Sequence, residues 1–264
     1  EDQRQLQLIE HEIRYFLPQQ AGIPIMLFPT WECLPYDVFS PHEDIISERL
    51  RLLALLPGLE RGIVLTHSDN LVQRLPPRDY VQGHSFSLKQ NQKVDMDLLR
   101  SRLVDSNYVS VNQVIAPGEF TVRGGLIDIY PMGTDRPFRL DLFDDELESI
   151  RIFDPETQRS LETVVDIDIL PAREFPMTEA GVKMFRSAFR RQFEGDPRKQ
   201  LVYEEVSRGN TPAGTEFFFP LFFEDTATFF DYLPKNSMLV CTGELESYLA
   251  TYSAEISDRY ENSN

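Results

Sequence analysis

Apolar residues open the chain at three- and four-residue steps, Leu6, Ile9, Ile13 and Phe16, a stripe that predicts a helix stopped by Pro18. Residues 23–28 then read as a short buried strand. After the irregular stretch 29–41, Ile45, Ile46, Leu50, Leu53 and Leu56 predict a second helix, closed by Pro57-Gly58. Residues 62–66 predict another strand and 68–75 a third, short helix. Helix and strand alternating through short connections is the pattern of a parallel α/β layer.

Pro76-Pro77 punctuates that layer, and from about Ser85 the pattern becomes strand-rich. One helix is expected near 97–103. Strands are expected over 109–115, 120–130, 138–143, 147–153 and 164–170, separated by Pro117-Gly118 and the 131–137 turn region. This is the signature of an α+β domain. Beyond Pro171, Val182, Phe185, Phe189 and Phe193 share one helical face behind a Thr178 cap. Residues 201–206 predict a short helix, 238–241 a strand and 244–260 a closing helix. No internal repeat or low-complexity tract interrupts the series.

Dividing 264 residues by about 150 per domain leads to an expectation of roughly two domains. Its hydrophobic fraction of 41% is enough to bury real cores, which excludes wholesale disorder. The charge changes the picture more. Lys plus Arg number 26 against 43 Asp plus Glu, a net −17 that repels phosphate at long range and leaves only a local or indirect role with nucleic acid. Cys33 and Cys241 have neither disulfide-framework nor metal-site spacing, which fits a reducing cytoplasm. No apolar run reaches signal-peptide or membrane-span length, so no membrane partner is expected. The chain opens without Met and already inside a helical pattern, as a fragment of a longer protein would.

No GxxxxGK[ST] loop is present, so the phosphate cradle of a P-loop nucleotidase is missing and ATP turnover is not expected. His11, His42, His67 and His84 are scattered and near no nucleophile in a triad-like order. His42-Glu43-Asp44 reads as a helix start, with acids at the positive dipole end. The run Asp141, Asp144, Asp145, Glu146 and Glu148 reads as a solvated turn rather than a Mg²⁺ site. The most informative segment is 138–143. There Phe138, Leu140 and Leu142 share one strand face while Arg139, Asp141 and Phe143 share the other. An aromatic beside Arg on an outer face has the composition of a protein-binding anchor. The competing reading has Phe143 end the strand and tuck under the following turn.

Phe120-Thr121-Val122-Arg123-Gly124-Gly125-Leu126-Ile127-Asp128-Ile129-Tyr130-Pro131, with residues 138–146 and Ile152-Phe153-Asp154, resembles the block shared by the excision-repair subunit UvrB and the bacterial transcription-repair coupling factors. Trp31-Glu32-x-Leu34-Pro35-Tyr36-Asp37, Phe39-Ser40-Pro41-His42, Pro212-Ala213-Gly214-x-Glu216 and Pro220-Leu221-Phe222-Phe223 resemble the coupling factors rather than UvrB. The resemblance implies an α/β fold. A helicase-like domain 1A, truncated at its start, would occupy 1–84, an inserted α+β domain 2 would occupy 85–171, and domain 1B 172–264. The linkers near 76–82 and 171–175 are expected to be open to proteolysis. UvrB's DNA-clamping hairpin has no counterpart here, since Tyr36 to Pro41 runs almost directly into a helix.

In that family domain 2 recruits UvrA. Carried over position by position, the UvrA-binding residues are Arg123, Arg139, Asp141 and Phe143, with Asp141 orienting Arg139. Arg123, Arg139 and Phe143 are expected to contribute little to the stability of the fold. The implied module is non-catalytic, binds no cofactor or metal itself, and is cytoplasmic. ATP and Mg²⁺ would belong to motor domains outside this chain. Other implied partners are the family's own C-terminal domain, which masks this surface, and RNA polymerase and DNA through other domains. The rival classes are a UvrB-like DNA-contacting module and a nucleotidase.

Overall fold

The computed structural model describes residues 3–18, 22–35, 37 and 39–263; Tyr36 of the first coupling-factor motif lies outside the described residues. Helix α1 (Gln3–Phe16) lays Leu6, Ile9 and Ile13 half-buried against the layer built on strands β1 (Ile25–Phe28) and β2 (Ile63–Thr66). These strands pair in parallel, Ile25 opposite Ile63 and Phe28 opposite Thr66. Between them, helix α2 (Glu43–Leu55) begins where His42 accepts a hydrogen bond from the Asp44 amide. Glu43 and Asp44 occupy its first turn, where the helix dipole favours them, and Leu50, Leu52 and Leu53 are fully buried. Helix α3 (Asp69–Val72) is a single turn, shorter than the 68–75 expected.

Helix α4 (Arg78–Gly83) leads into β3 (Phe86–Lys89) and α5 (Met96–Asp105), the latter capped by Asp95 on the Leu98 amide. A six-stranded sheet follows: β4 (Val109–Ser110), β5 (Glu119–Arg123), β6 (Leu126–Ile129), β7 (Phe138–Phe143), β8 (Glu146–Phe153) and β9 (Ser160–Val164), in that spatial order. All its pairings are antiparallel except β4 with β5. Strand β10 (Asp166–Ile169) leaves this sheet to pair with β3, Ile169 opposite Phe86.

Three strand expectations within the 85–171 stretch need correction. Residues 109–115 give only two strand residues, because β4 finds a partner only at Glu119 and Phe120. The 120–130 stretch is a hairpin rather than one strand. Gly124 takes φ +60, the first central position of a tight two-residue turn, which a side chain would strain. The 164–170 stretch divides at Val165 between two sheets.

Helix α6 (Glu179–Gln192) starts at Thr178, whose hydroxyl accepts from the Gly181 amide, and buries Phe185 and Phe189. Helix α7 (Leu201–Ser207) and a 3-10 segment (Thr215–Phe222) close over it, with Phe175, Phe222, Phe185, Phe189 and Tyr203 in successive ring contact. The short α8 (Phe229–Tyr232) and the 19-residue α9 (Leu245–Ser263) complete the chain. No strand forms at 238–241. Met238 and Val240 are exposed there, since strand propensity is realised only against a sheet edge and none lies alongside.

The two connections expected to be cleavable are instead strapped down. Tyr80 is buried and donates to the Arg173 carbonyl, Leu75 bridges Ala227, and Phe175 and Glu174 are buried. Glu174 is the hub. One carboxylate oxygen accepts from Arg49 Nε at 2.7 Å and the other from Trp31 Nε1 at 2.9 Å. Beside it Arg173 meets Glu216, which also accepts from Ser40, so the coupling-factor-like motifs at 31–42 and 212–216 converge on the return from the sheet.

Candidate partner-binding face

The register of the six-stranded sheet aligns one row of side chains across its outer face: Thr121, Asp128, Arg139, Arg151 and Thr163. A second row runs Arg123, Leu126, Asp141, Ser149. On the opposite face Phe120, Ile127, Ile129, Leu140, Leu142, Leu147 and Ile150 are buried in the core. Phase is kept by a bulge: Asp141 faces Ser149 while Leu142 faces Leu147, so Glu148 is extra and both Leu147 and Ile150 point inward. The alternation expected for 138–143 is what the structure shows.

Arg139 is held on this face by its neighbours. Its Nε and Nη2 donate to both oxygens of Asp128 at 2.7 and 2.9 Å, its Nη1 to the Gln158 carbonyl at 3.3 Å, and its guanidinium lies 4.9 Å from the Phe153 ring centre. Phe153 and Val114 are buried but stand apart from the main core, and Gln158 Nε2 donates to the Val114 carbonyl at 3.2 Å. The paired hydrogen bonds to Asp128 hold the Arg139 guanidinium above its ordinary value. Asp128 is only 4% exposed, so this pair is structural as well as available to a partner.

Two expectations therefore change. Asp141 does not orient Arg139; it pairs with Arg151 at 2.7 Å, while Asp128 holds Arg139. Nor is Arg139 neutral for the fold. Arg139→Ala is expected to cost about 3 kcal/mol of stability, because a nearly buried carboxylate loses its bidentate partner. Chemical denaturation of that variant is the check, and an unchanged midpoint would show that water replaces the guanidinium.

Arg123 sits at the hairpin tip, exposed, with Nη2 donating to the Asn112 carbonyl at 2.6 Å and no ion pair among the described residues. Arg123 and Arg139 line one depression of about 310 Å³ together with Thr121, Leu126, Asp128 and Gln158. At the far end of β7, Phe143 is 76% exposed. It does not tuck under the turn. Asp144 at φ +57 and Asp145 make that turn, which is braced from below: Lys93 Nζ lies 2.8 Å from the Asp145 carboxylate, and the Val94 amide donates to the Asp145 carbonyl. The acidic run is thus a hairpin turn and its supports.

The two hairpin tips meet at Gly125. A Cβ there would stand 2.7 Å from the Leu142 carbonyl, whose own amide donates to the Gly125 carbonyl. Gly125→Ala should force the Arg123 tip away from β7, at about 1–3 kcal/mol. Nuclear magnetic resonance shifts confined to 123–126 and 141–143 are expected; an unperturbed variant would mean the tips are not in contact.

Reactive groups elsewhere are few. Burial, with Asp37 and Glu216 nearby, pushes the Cys33 thiol up to about 12, away from nucleophilic use. Among the described residues no helix is long and apolar enough to cross a membrane, and no cluster of His, Cys, Asp and Glu is placed to hold a metal.

The UvrB interaction domain family model matches residues 86–175, the stretch that builds the six-stranded sheet and the β3–β10 pair. The transcription-repair-coupling factor of Escherichia coli (strain K12) is 43% identical over 255 residues, covering 96% of this chain and 22% of that protein. The Haemophilus influenzae protein of the same name is 42% identical over 247 residues, covering 93% and 22%. That of Bacillus subtilis (strain 168) is 30% identical over 230 residues, covering 82% and 20%. The chain spans about a fifth of the length of these curated relatives. By these matches it is a relative of the N-terminal region of the transcription-repair coupling factors and contains a UvrB interaction domain.

Proposed function

We propose that this chain is a recruitment module that binds UvrA through the outer face of its six-stranded sheet. One observation carries the reading: an exposed aromatic, Phe143, on the same face as Arg123 and Arg139, on a sheet matched by the UvrB interaction domain. An aromatic anchor flanked by arginines is the composition of an interface centre, and Asp141–Arg151 supplies a half-exposed polar rim. The module has domain 1A at 1–84, the UvrA-binding domain 2 at 85–171 and domain 1B at 172–264. It is not an enzyme and takes no cofactor. In the whole protein, a cytoplasmic ATP-dependent DNA translocase, the motor domains would bring ATP, Mg²⁺, DNA and RNA polymerase, and the C-terminal domain would mask this face. The isolated chain should then bind UvrA without activation. Calorimetric titration of the chain with purified UvrA is expected to give a saturable isotherm; no complex at about 100 µM, a Kd weaker than most specific interfaces of this kind reach, would overturn the reading.

A further inference from the structure

The chain carries one concentration of positive charge. Between 183 and 199 stand six cations, Lys183, Arg186, Arg190, Arg191, Arg198 and Lys199, against two carboxylates, Glu194 and Asp196, in a molecule of net charge −17. All six are exposed. Lys183, Arg186 and Arg190 follow at i, i+3 and i+7 on α6, so they share the face opposite the buried Phe185, Ala188 and Phe189. Like charges at such spacings destabilise a helix by a few tenths of a kcal/mol per pair. The chain has acids to spare, yet Lys183, Arg186 and Arg190 make no ion pair among the described residues. Instead Arg190 Nε donates to the Tyr203 hydroxyl at 2.7 Å. Burial would push that phenol up, but hydrogen bonds from Arg186 and Arg190 hold it below its ordinary value. The nearby acids of α7, Glu204 and Glu205, are taken by Arg208.

We infer that the outer face of α6 is a contact for the phosphate backbone of duplex DNA, separate from the sheet face assigned to UvrA. Charge complementarity identifies the occupant. Seven residues of helix span about 10 Å, and a duplex presents about one charge per 1.7 Å of axis, so each cation of the stripe has phosphates within reach. Arginine forks suit phosphate oxygens. A protein partner would need an apolar anchor within the stripe, whereas its outward positions from 183 to 190 are Lys183, Arg186, Ser187 and Arg190; Phe193, 41% exposed at its end, already packs on the Phe189 and Phe218 rings. The overall negative charge does not prevent such a contact, because at physiological salt the field of distant carboxylates is screened beyond about 8 Å. It keeps the contact weak and local.

The test is fluorescence anisotropy of a labelled duplex titrated with the chain across a salt series. Three phosphates neutralised give a slope of log K against log salt of about −3. Reversing the stripe with Lys183→Glu, Arg186→Glu and Arg190→Glu should weaken binding at least tenfold at about 50 mM salt, where the phosphate term is strongest. Arg186→Lys with Arg190→Lys keeps the charge and should bind within about threefold of the parent, and Phe143→Ala should bind as the parent does. If the triple variant fails to fold, Lys183→Glu with Arg191→Glu disturbs no buried group and should still lose several-fold. A flat salt dependence, or full binding by the reversed variants, would overturn the proposal. A poly-glutamate peptide binding the chain more tightly than the duplex at equal salt would also overturn it, assigning the stripe to an acidic protein.

Discussion

Phe143→Ala should weaken UvrA binding by about 2–3 kcal/mol, on the order of 30- to 150-fold, while leaving the melting temperature within about 1 °C of the parent. The asymmetry follows from exposure. With 76% of its surface already in water, Phe143 fills no cavity in the free chain, and its removal leaves the braced 144–145 turn and the Leu142 and Leu147 core contacts intact. In a complex the same ring would be the largest apolar group on this face. Arg139 makes the useful contrast, since its loss should lower both affinity and stability. Arg123→Ala should resemble Phe143→Ala, because among the described residues Arg123 meets a backbone carbonyl, that of Asn112, and no carboxylate. Loss of UvrA binding by Phe143→Ala together with a drop of several degrees would return Phe143 to a purely structural role.

The largest effect on folding is expected at Glu174. Arg49 is fully buried; its Nη1 donates to the Pro29 carbonyl and to Asn70 Oδ1 at 2.9 Å, and its guanidinium lies 4.8 Å from the Phe28 ring and 5.4 Å from Trp31. Among the described residues Glu174 supplies the one carboxylate that Arg49 meets, at 2.7 Å. Glu174→Ala leaves a charge stranded in the interior and orphans the Trp31 indole N–H, and should cost about 3–5 kcal/mol. Replacing both charges, Arg49→Met with Glu174→Leu, should recover much of that, because the desolvation cost disappears with the pair. Urea denaturation midpoints would show this. A loss below about 1 kcal/mol in the single variant would mean that water reaches the pair. Because Glu174 lies on the return from the sheet, this variant should also expose to protease the 171–175 segment that the parent keeps largely buried.

Much of this was legible from residue order alone. The 3.6-residue stripes at α1, α2 and α6, the Thr178 and His42 caps and the alternation at 138–143 each depend on neighbours within a few positions. What the sequence hid depends on register. Asp128 and Arg139 are eleven residues apart, across a 131–137 loop whose length does not reveal which residues face each other. Sequence order alone therefore pairs Asp141 with the arginine nearest in the chain. The partner in space, Arg151, is reached only through the β7–β8 turn and its bulge. The 238–241 expectation failed for a related reason. Local composition favours a strand, but pairing is a property of the whole sheet. The buried Arg49–Glu174 pair was out of reach too, since 125 residues separate two charges whose types predict a surface position.

Hydrogen exchange of the chain with and without UvrA decides whether UvrA sits on the outer face of the six-stranded sheet. Slowed exchange is expected at the two hairpin tips, 123–126 and 142–146, and along the loop 112–118, whose Asn112 carbonyl accepts from Arg123, with α6 and α9 unchanged. Protection of α6 or α9 with the tips exchanging freely would contradict it and place UvrA on another face of the molecule.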